Sequence, residues 1–211
     1  MSSENPNSRL EAFCDGVFSI ALTLLIIDIK ISSAEKIGST AEFWLAIKNI
    51  IPSIFTFVLS FIIILITWVN HHNYIKLINK SSSSFIYANG FLLLTVVFIP
   101  FPTSLVGEHI LTNHASPAVF LYNIVIAIQG VAWVLISTTS LRNELAKNKE
   151  SILEIIINRR NGYLSFIIYS LLAILSLWFP LTIAIVTTLT LIFWLIYGIK
   201  IKHEHLENEK L

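Results

Sequence analysis

The chain has 211 residues, of which 55% are hydrophobic and 13% are charged, with a formal net charge of +1. A soluble domain carries roughly 25% charged residues, so the composition excludes a soluble globular protein. A disordered chain is excluded as well, because disorder requires few hydrophobic and many charged residues. The near-neutral charge gives no reason to expect a nucleic-acid partner, and the single cysteine excludes an internal disulfide. We therefore expect an all-α, multi-pass membrane protein whose surroundings are the lipid bilayer, with a single domain over residues 1–211.

The first predicted transmembrane helix, residues 9–31, differs from the others in its carboxylates. Glu11, Asp15 and Asp28 bracket its apolar core. Because carboxylates are costly in contact with lipid, we expect this helix to face protein or water. The alternative is a secretory signal peptide, but the acidic start and the lack of a small-residue cleavage site after Ile31 argue against it.

Charge-free apolar runs downstream predict five more transmembrane helices. Residues 161–199 carry no charge and are too long for one crossing, and Trp178-Phe179-Pro180 at their centre is typical of an interfacial hairpin. The polar stretch 142–160 is expected to be an amphipathic connector helix. The five predicted spans are 49–69, 85–107, 116–140, 161–179 and 181–200.

The placement of lysine and arginine orients these six helices. An even number of crossings puts both termini on one side, which then holds all the lysines and arginines except Lys30, Lys36 and Lys48. Such a bias predicts that both termini are cytoplasmic.

On a helical wheel, the first helix has two faces with different chemistry. Ile20, Thr23, Leu24 and Ile27 share one face, which Phe13 extends towards the cytoplasm. Asp15 lies on the opposite side, together with Ser19, Leu22 and Ile26. The apolar row faces either lipid or a symmetry axis, and in both cases the acid points into its own subunit, where it needs a buried partner.

Several candidate partners for Asp15 lie on the same side of the membrane under this topology. Besides Arg9 in the same helix, they come from the end of the second predicted span: Trp68, Asn70, His71 and His72. The cluster either only ties two helices together or also takes part in gating. We expect no metal there, because adjacent histidines diverge on a helix and no third ligand is evident.

Residues 9–15, R-L-E-A-F-C-D, resemble the R-x-x-x-F-S-D signature of the lysosomal potassium channel family and its bacterial homologues, with Cys14 in place of the usual serine. The end of the second span, with Trp68, His71 and His72, also resembles that family, as do the six spans and the length.

The resemblance implies a potassium-permeable cation channel in the cell membrane, without a T-V-G-Y-G filter. Its pore would be lined by the first helix of each subunit in a homotetramer, narrowest at Ile20, with Thr23, Leu24 and Ile27 also facing the pore. Arg9, Phe13 and Asp15 would belong to the motif network. We expect Asp28 at the outer mouth to raise the local cation concentration. Potassium would be the permeant ion, with no cofactor.

Two other function classes remain as alternatives. A proton-coupled secondary transporter would use Asp15 and a histidine as a proton relay. A membrane enzyme would use Cys14 and His71 as nucleophile and base, but no orienting third group is evident, so we expect no enzymatic activity.

Overall fold

The computed structural model describes residues 7–29 and 37–208, with side chains for all of these except residue 28 and residues 197–208. Within those ranges the fold is all-helical, and no β-strand is present. A 3₁₀ turn, Leu25–Asp28, continues the first helix. The helices, numbered in chain order, are α1 (Ser8–Leu24), α2 (Thr40–Asn49), α3 (Ile51–Ile75), α4 (Ser83–Phe98), α5 (Pro100–His109), α6 (Ala115–Arg142), α7 (Lys149–Ser176) and α8 (Pro180–Asn208).

Four segments of the described chain are long and apolar enough to cross a bilayer: Ser8–Ile27, Thr40–Ile75, Ser83–His109 and Ala115–Arg142. They contain the second, third and fourth predicted spans, and Ser8–Ile27 contains the first predicted span as far as residue 27. The shorter apolar helix Pro180–Ile196 covers the sixth span from residue 181 to residue 196, and α7 contains most of the fifth. The all-helical membrane architecture is thus confirmed, whereas crossing by α7 and α8 stays a prediction.

The helix boundaries differ from the sequence prediction in three places. The third predicted span is divided into α4 and α5 at Pro100, whose ring lacks the N–H that an uninterrupted helix needs. A short helix, α2, precedes α3, and Ser39 caps it by accepting a hydrogen bond from the Glu42 N–H. The expected connector helix, 142–160, is helical only from Lys149, and from there it forms one continuous helix with the fifth span as far as Ser176, because no proline stands between these two residues.

Helices α6 and α7 approach each other closely through two glycines. A methyl group on Gly130 would lie 2.9 Å from the Gly162 carbonyl oxygen, and one on Gly162 would lie 2.9 Å from Val134 Cγ2. Any side chain at either position would therefore push the two backbones apart, and this close approach of small residues is typical of helices packed in a membrane.

The helix α1 packs against α3 and α4. Its packed face consists of Cys14, Phe18, Ala21 and Leu25, all of which are buried. At the end of the bundle where α1 begins, the buried Asn7 places its side-chain amide 3.5 Å from the Ile78 carbonyl. The start of α1 is thereby joined to the segment that follows α3.

At that same end of the bundle, the connections α3–α4 and α6–α7 pair with each other. Asn79 N–H donates to the Leu145 carbonyl at 3.0 Å, and Lys147 N–H donates to the Leu77 carbonyl at 2.9 Å. Helix α6 ends in a Schellman arrangement, in which Leu145 N–H donates to the Ser140 carbonyl and Glu144 takes a positive φ of 50°. Leu145, which follows, is buried.

Candidate functional site: the first helix and its anchoring cluster

The face of α1 opposite its packed side has no partner among the residues that the structure describes. Phe13, Ile20 and Ile27 are 62%, 58% and 60% exposed, and Leu24 is 38% exposed. Thr23 is exposed as well. The row that the helical wheel isolated therefore lies on the exposed surface of α1, away from the buried Cys14, Phe18 and Ala21.

The hydroxyl of Thr23 has a defined orientation on this face. It donates its proton to the Ile20 carbonyl at 2.8 Å, so that the lone pairs of the oxygen remain available. Ser19, one helical turn nearer the N-terminus, does the same with the Asp15 carbonyl at 2.8 Å. Hydroxyl oxygens whose proton is already donated to the backbone present acceptors to the surroundings, and acceptors are what a cation requires.

Asp15 is held by the indole of Trp68. Trp68 Nε1–H donates to Asp15 Oδ1 at 2.8 Å, and both residues are half-buried. A hydrogen bond to an ionised carboxylate is stronger than one between neutral groups, so this bond ties α1 to α3 and partly compensates for the removal of the carboxylate from water.

His71 is buried next to the packed side of α1. Its Nε2 lies 2.8 Å from Asn89 Oδ1, and its ring lies 5.6 Å from the ring of Phe18. Because the Asn89 amide donates its Nδ2 to the Phe85 carbonyl, its Oδ1 is the acceptor and His71 Nε2 carries the proton. The histidine thus links α3 to α4 and packs against the buried side of α1 through Phe18.

His72 on α3 contacts Glu11 on α1. Its Nδ1 lies 3.1 Å from Glu11 Oε1, and its ring stacks on Trp68 with centroids 6.1 Å apart. Together, the pairs Trp68–Asp15 and His72–Glu11 fasten α1 to α3 with two carboxylates one helical turn apart. We refer to Glu11, Asp15, Trp68, His71, His72 and Asn89 as the anchoring cluster.

The structure brings together most, but not all, of the residues that the sequence singled out. Arg9 is exposed on the unpacked side of α1 and makes no ion pair within the described residues, so Trp68 rather than Arg9 bonds Asp15. Asn70 is exposed as well. The side chain of Asp28 lies outside the described residues, and those residues contain no group of three or more potential metal ligands.

Two members of the cluster escaped the sequence analysis. The sequence indicates Glu11 as an acidic residue of the first helix but not as the partner of His72, and it gives no prediction for Asn89. The spacing of Glu11 and Asp15, one turn apart, was the available signal for Glu11. A lone asparagine within an apolar span was the available signal for Asn89, because a buried amide needs partners.

Comparison with known proteins identifies the family. The family model of the endosomal/lysosomal potassium channel TMEM175 matches residues 9–100, which contain all of α1 except Ser8 and the whole anchoring cluster. Three relatives are named potassium channels. One from Chamaesiphon minutus is 40% identical over 119 residues, 56% of this chain and 58% of the relative. One from Streptomyces collinus is 36% identical over 65% of this chain and 68% of the relative. One from a Chryseobacterium species is 29% identical over 95% of this chain and 98% of the relative.

Solved structures agree with this assignment. The crystal structure of a lysosomal potassium-selective channel TMEM175 homologue from Chamaesiphon minutus has a TM-score of 0.78 and 27% identity, over 91% of this chain and 97% of that one. A variant of the potassium channel MtTMEM175, with a TM-score of 0.62 and 16% identity over 94% of this chain and 93% of that one, shares the fold. The proteins that this chain resembles are thus channels, a class without enzymatic activity, and the chain belongs to the TMEM175 family.

Proposed function

We propose that this chain forms a potassium-permeable cation channel in the cell membrane, with four copies arranged so that their α1 helices surround the pore. The proposal is supported by the family to which the chain belongs and by the potassium channels among its relatives. The observation that carries it is the exposed apolar row on α1: a helix fixed on one side by the anchoring cluster presents Ile20 and Ile27 to nothing in the described part of the chain.

In this assembly Ile20 forms the narrowest ring of the pore. Four isoleucine side chains around an axis contain no polar atom, so a narrow ring of them excludes water and closes the pore by dewetting. When the ring is wider, the oxygens of Thr23, whose protons are donated to the backbone, replace part of the water around a passing ion. Potassium, which holds its water less strongly than sodium, loses less in that exchange.

The membrane topology in this proposal has six crossings, namely α1, α3, the α4–α5 pair, α6, α7 and α8, with both termini in the cytoplasm. The distribution of lysine and arginine supports it, since only Lys30, Lys36 and Lys48 fall on the outer side. Asp28 lies near the outer end of α1, where its charge attracts cations to the pore mouth.

The contacts of Asp15 favour a channel over a proton-coupled transporter. A relay requires the acid to exchange a proton with a histidine, directly or through water. Asp15 Oδ1 is bonded by Trp68, His71 Nε2 by Asn89, and His72 Nδ1 lies against Glu11. None of these pairs joins Asp15 to a histidine, so the cluster has the features of a helix anchor.

The decisive experiment records ion currents through purified protein in a planar bilayer. Wild-type protein is expected to give unitary currents too large for a carrier, with a reversal potential set by potassium. Ile20→Asn adds a polar group to each subunit's part of the ring, which hydrates it, so conductance should rise and discrimination between potassium and sodium should fall.

The matched control is Leu22→Asn, the same new side chain two residues away. Leu22 is half-buried and packs against the core, so this substitution should lower expression and stability without changing the reversal potential. Saturable flux with a fixed proton stoichiometry would instead support the transporter. If Leu22→Asn shifts the reversal potential and Ile20→Asn does not, the assignment of α1's pore face is wrong.

A further inference from the structure

A cleft with a volume of about 430 Å³ lies between α3, α5, α6 and α8. Its floor is formed by Thr56, Val106 and Tyr122, which come from three different helices and are all buried. Its mouth is bordered by Ile185 and Leu189 on α8, which are 63% and 59% exposed. We call this space the α8 cleft. Its volume is within the range of sites that bind small molecules.

The hydroxyl of Tyr122 on the floor is committed to a chain of hydrogen bonds inside the bundle. Thr103 Oγ1 donates to the Ile99 carbonyl at 2.7 Å. Thr103 Oγ1 is therefore the acceptor for Ser60 Oγ, which lies 2.6 Å away. Since the proton of Ser60 is used in this bond, Ser60 Oγ accepts from the Tyr122 hydroxyl at 3.1 Å. The phenol proton is thus not available to an occupant of the cleft.

The other polar side chains of the lining are also hydrogen-bonded within the chain. Thr187 Oγ1 donates to Asn123 Oδ1 at 2.9 Å, and Asn123 Nδ2 donates to the Val119 carbonyl at 2.9 Å. The hydroxyls of Thr56 and Thr188 donate to carbonyls one turn earlier in their own helices. Because a water molecule needs several polar partners, the cleft favours an apolar occupant over water.

The mouth of the cleft is long and apolar. Leu181, Ile185 and Leu189 are exposed, and at a spacing of four residues they form one row along α8. The row covers about 12 Å at helical rise, and opposite it Pro52 and Leu59 line the cleft over a similar length of α3. Since α3 belongs to a segment that is long and apolar enough to cross a bilayer, this elongated mouth suits a hydrocarbon chain that enters from the bilayer.

We propose that the α8 cleft binds one acyl chain of a membrane lipid. The chain is apolar, as the internally bonded lining requires, and it is linear, as the row on α8 and the facing stretch of α3 require. The described residues that line the cleft include no charged side chain, so lipids with different headgroup charges should bind equally. The assignment rests on the crossing of the membrane by α8 proposed above.

The parts of this chain that the structure does not describe are poor candidates for the same space. Residues 1–6, 30–36 and 209–211 consist mostly of polar or charged residues. Placing such residues in the cleft would remove their polar groups from water without offering them partners. An acyl chain has no polar group to desolvate, so the surrounding lipid is the better occupant.

The experiment reconstitutes the full chain in vesicles that contain phosphatidylcholine or phosphatidylglycerol with a photoactivatable diazirine in one acyl chain. After illumination, mass spectrometry of the peptides identifies the labelled residues. We expect both probes to label the floor residues Thr56, Val106 and Tyr122 in addition to exposed apolar residues such as Phe193. A lipid that only coats the surface would label Phe193 and leave the floor unlabelled.

The matched variants place the same new ring inside and outside the cleft. Ala184 lines the cleft, so Ala184→Phe should abolish the label on the floor and leave the label on Phe193 unchanged. Ala41 is exposed on α2 and does not line the cleft, so Ala41→Phe should keep both labels. If Ala184→Phe does not fold, Ile185→Trp narrows the mouth and tests the same expectation.

A label confined to exposed residues would overturn the proposal, as would equal floor labelling in wild type and Ala184→Phe. Floor labelling by phosphatidylglycerol alone would also overturn it, because a headgroup site would then hold the lipid. If the floor is unlabelled and Ala184→Phe dissociates the oligomer, the cleft is a contact between copies instead. None of these readouts requires ion conduction, so their failure is distinct from failure of the channel proposal.

Discussion

The bond between Trp68 and Asp15 makes a quantitative prediction about how α1 is held. Trp68→Phe removes the indole N–H that donates to Asp15 Oδ1 at 2.8 Å and leaves the rest of the aromatic contact largely in place. A hydrogen bond to a charged group contributes about 1.5–3 kcal/mol. Because both partners are only half-buried, we expect a value near 1.5 kcal/mol, about a tenfold change in the unfolding equilibrium constant.

The smaller phenylalanine ring also loses packing, so the single substitution does not isolate the bond. A double-mutant cycle with Asp15→Ala does, because alanine removes the acceptor oxygen, so that each single substitution abolishes the bond. The coupling free energy between the two substitutions should be about 1 kcal/mol or more. The control is Trp178→Phe: this tryptophan is 66% exposed, with no hydrogen bond from its indole among the described residues, and its loss should change stability by less than about 0.5 kcal/mol.

The assay is equilibrium unfolding of the detergent-solubilised protein, followed by circular dichroism. If the coupling free energy is zero within error, the Trp68–Asp15 bond does not stabilise the attachment of α1. If Trp178→Phe lowers the free energy of unfolding as much as Trp68→Phe does, then the smaller ring, rather than the lost hydrogen bond, causes the destabilisation.

Two further predictions concern the backbone. Gly130→Ala should destabilise the protein by about 1–3 kcal/mol through overpacking, because its methyl group would meet the α7 backbone at 2.9 Å. The control is Gly90→Ala, whose methyl group would meet nothing within 4 Å. This substitution should be neutral or should stabilise the protein by up to about 1 kcal/mol. Glu144→Gly should raise stability by about 0.5–1 kcal/mol, because Glu144 takes a φ of 50° that glycine adopts without strain. Thermal unfolding measures both, and a stabilised Gly130→Ala or a destabilised Glu144→Gly would contradict them.

The sequence predicts the helical architecture well because the bilayer imposes it. A run such as residues 116–140 has no way to satisfy its backbone in lipid except as a helix, and α6 covers that run completely. The two faces of α1 follow from the same periodicity, with Ile20 exposed and Phe18 buried. The placement of Ser19 and Ile26 opposite the apolar row is wrong as a prediction of burial, because both are exposed and the buried face is formed by Cys14, Phe18 and Ala21.

The partners within the anchoring cluster were less predictable, because they depend on distances between helices rather than on positions along one. Arg9 and Asp15 have opposite charges and lie in one helix, so sequence reasoning pairs them. Six residues on a helix differ by 600° of rotation, which places them on different faces. The indole of Trp68, fifty-three residues away, reaches the carboxylate instead. Periodicity alone contains no information about such a contact.

The pairing of the α3–α4 and α6–α7 connections has a consequence for the order of folding. The bridge joins Ile78 to Ala146, so it cannot form until the ribosome has added the residues that follow α6. Until then, the backbone groups of Leu77 and Asn79 that later bond Lys147 and Leu145 have only water as a partner. The contact is distant in sequence, and contacts of this kind close late because the intervening chain must first be ordered. Asn7 bonds the carbonyl of the bridge residue Ile78, so we expect the N-terminal end of α1 to take its final position only after α7 has begun to emerge.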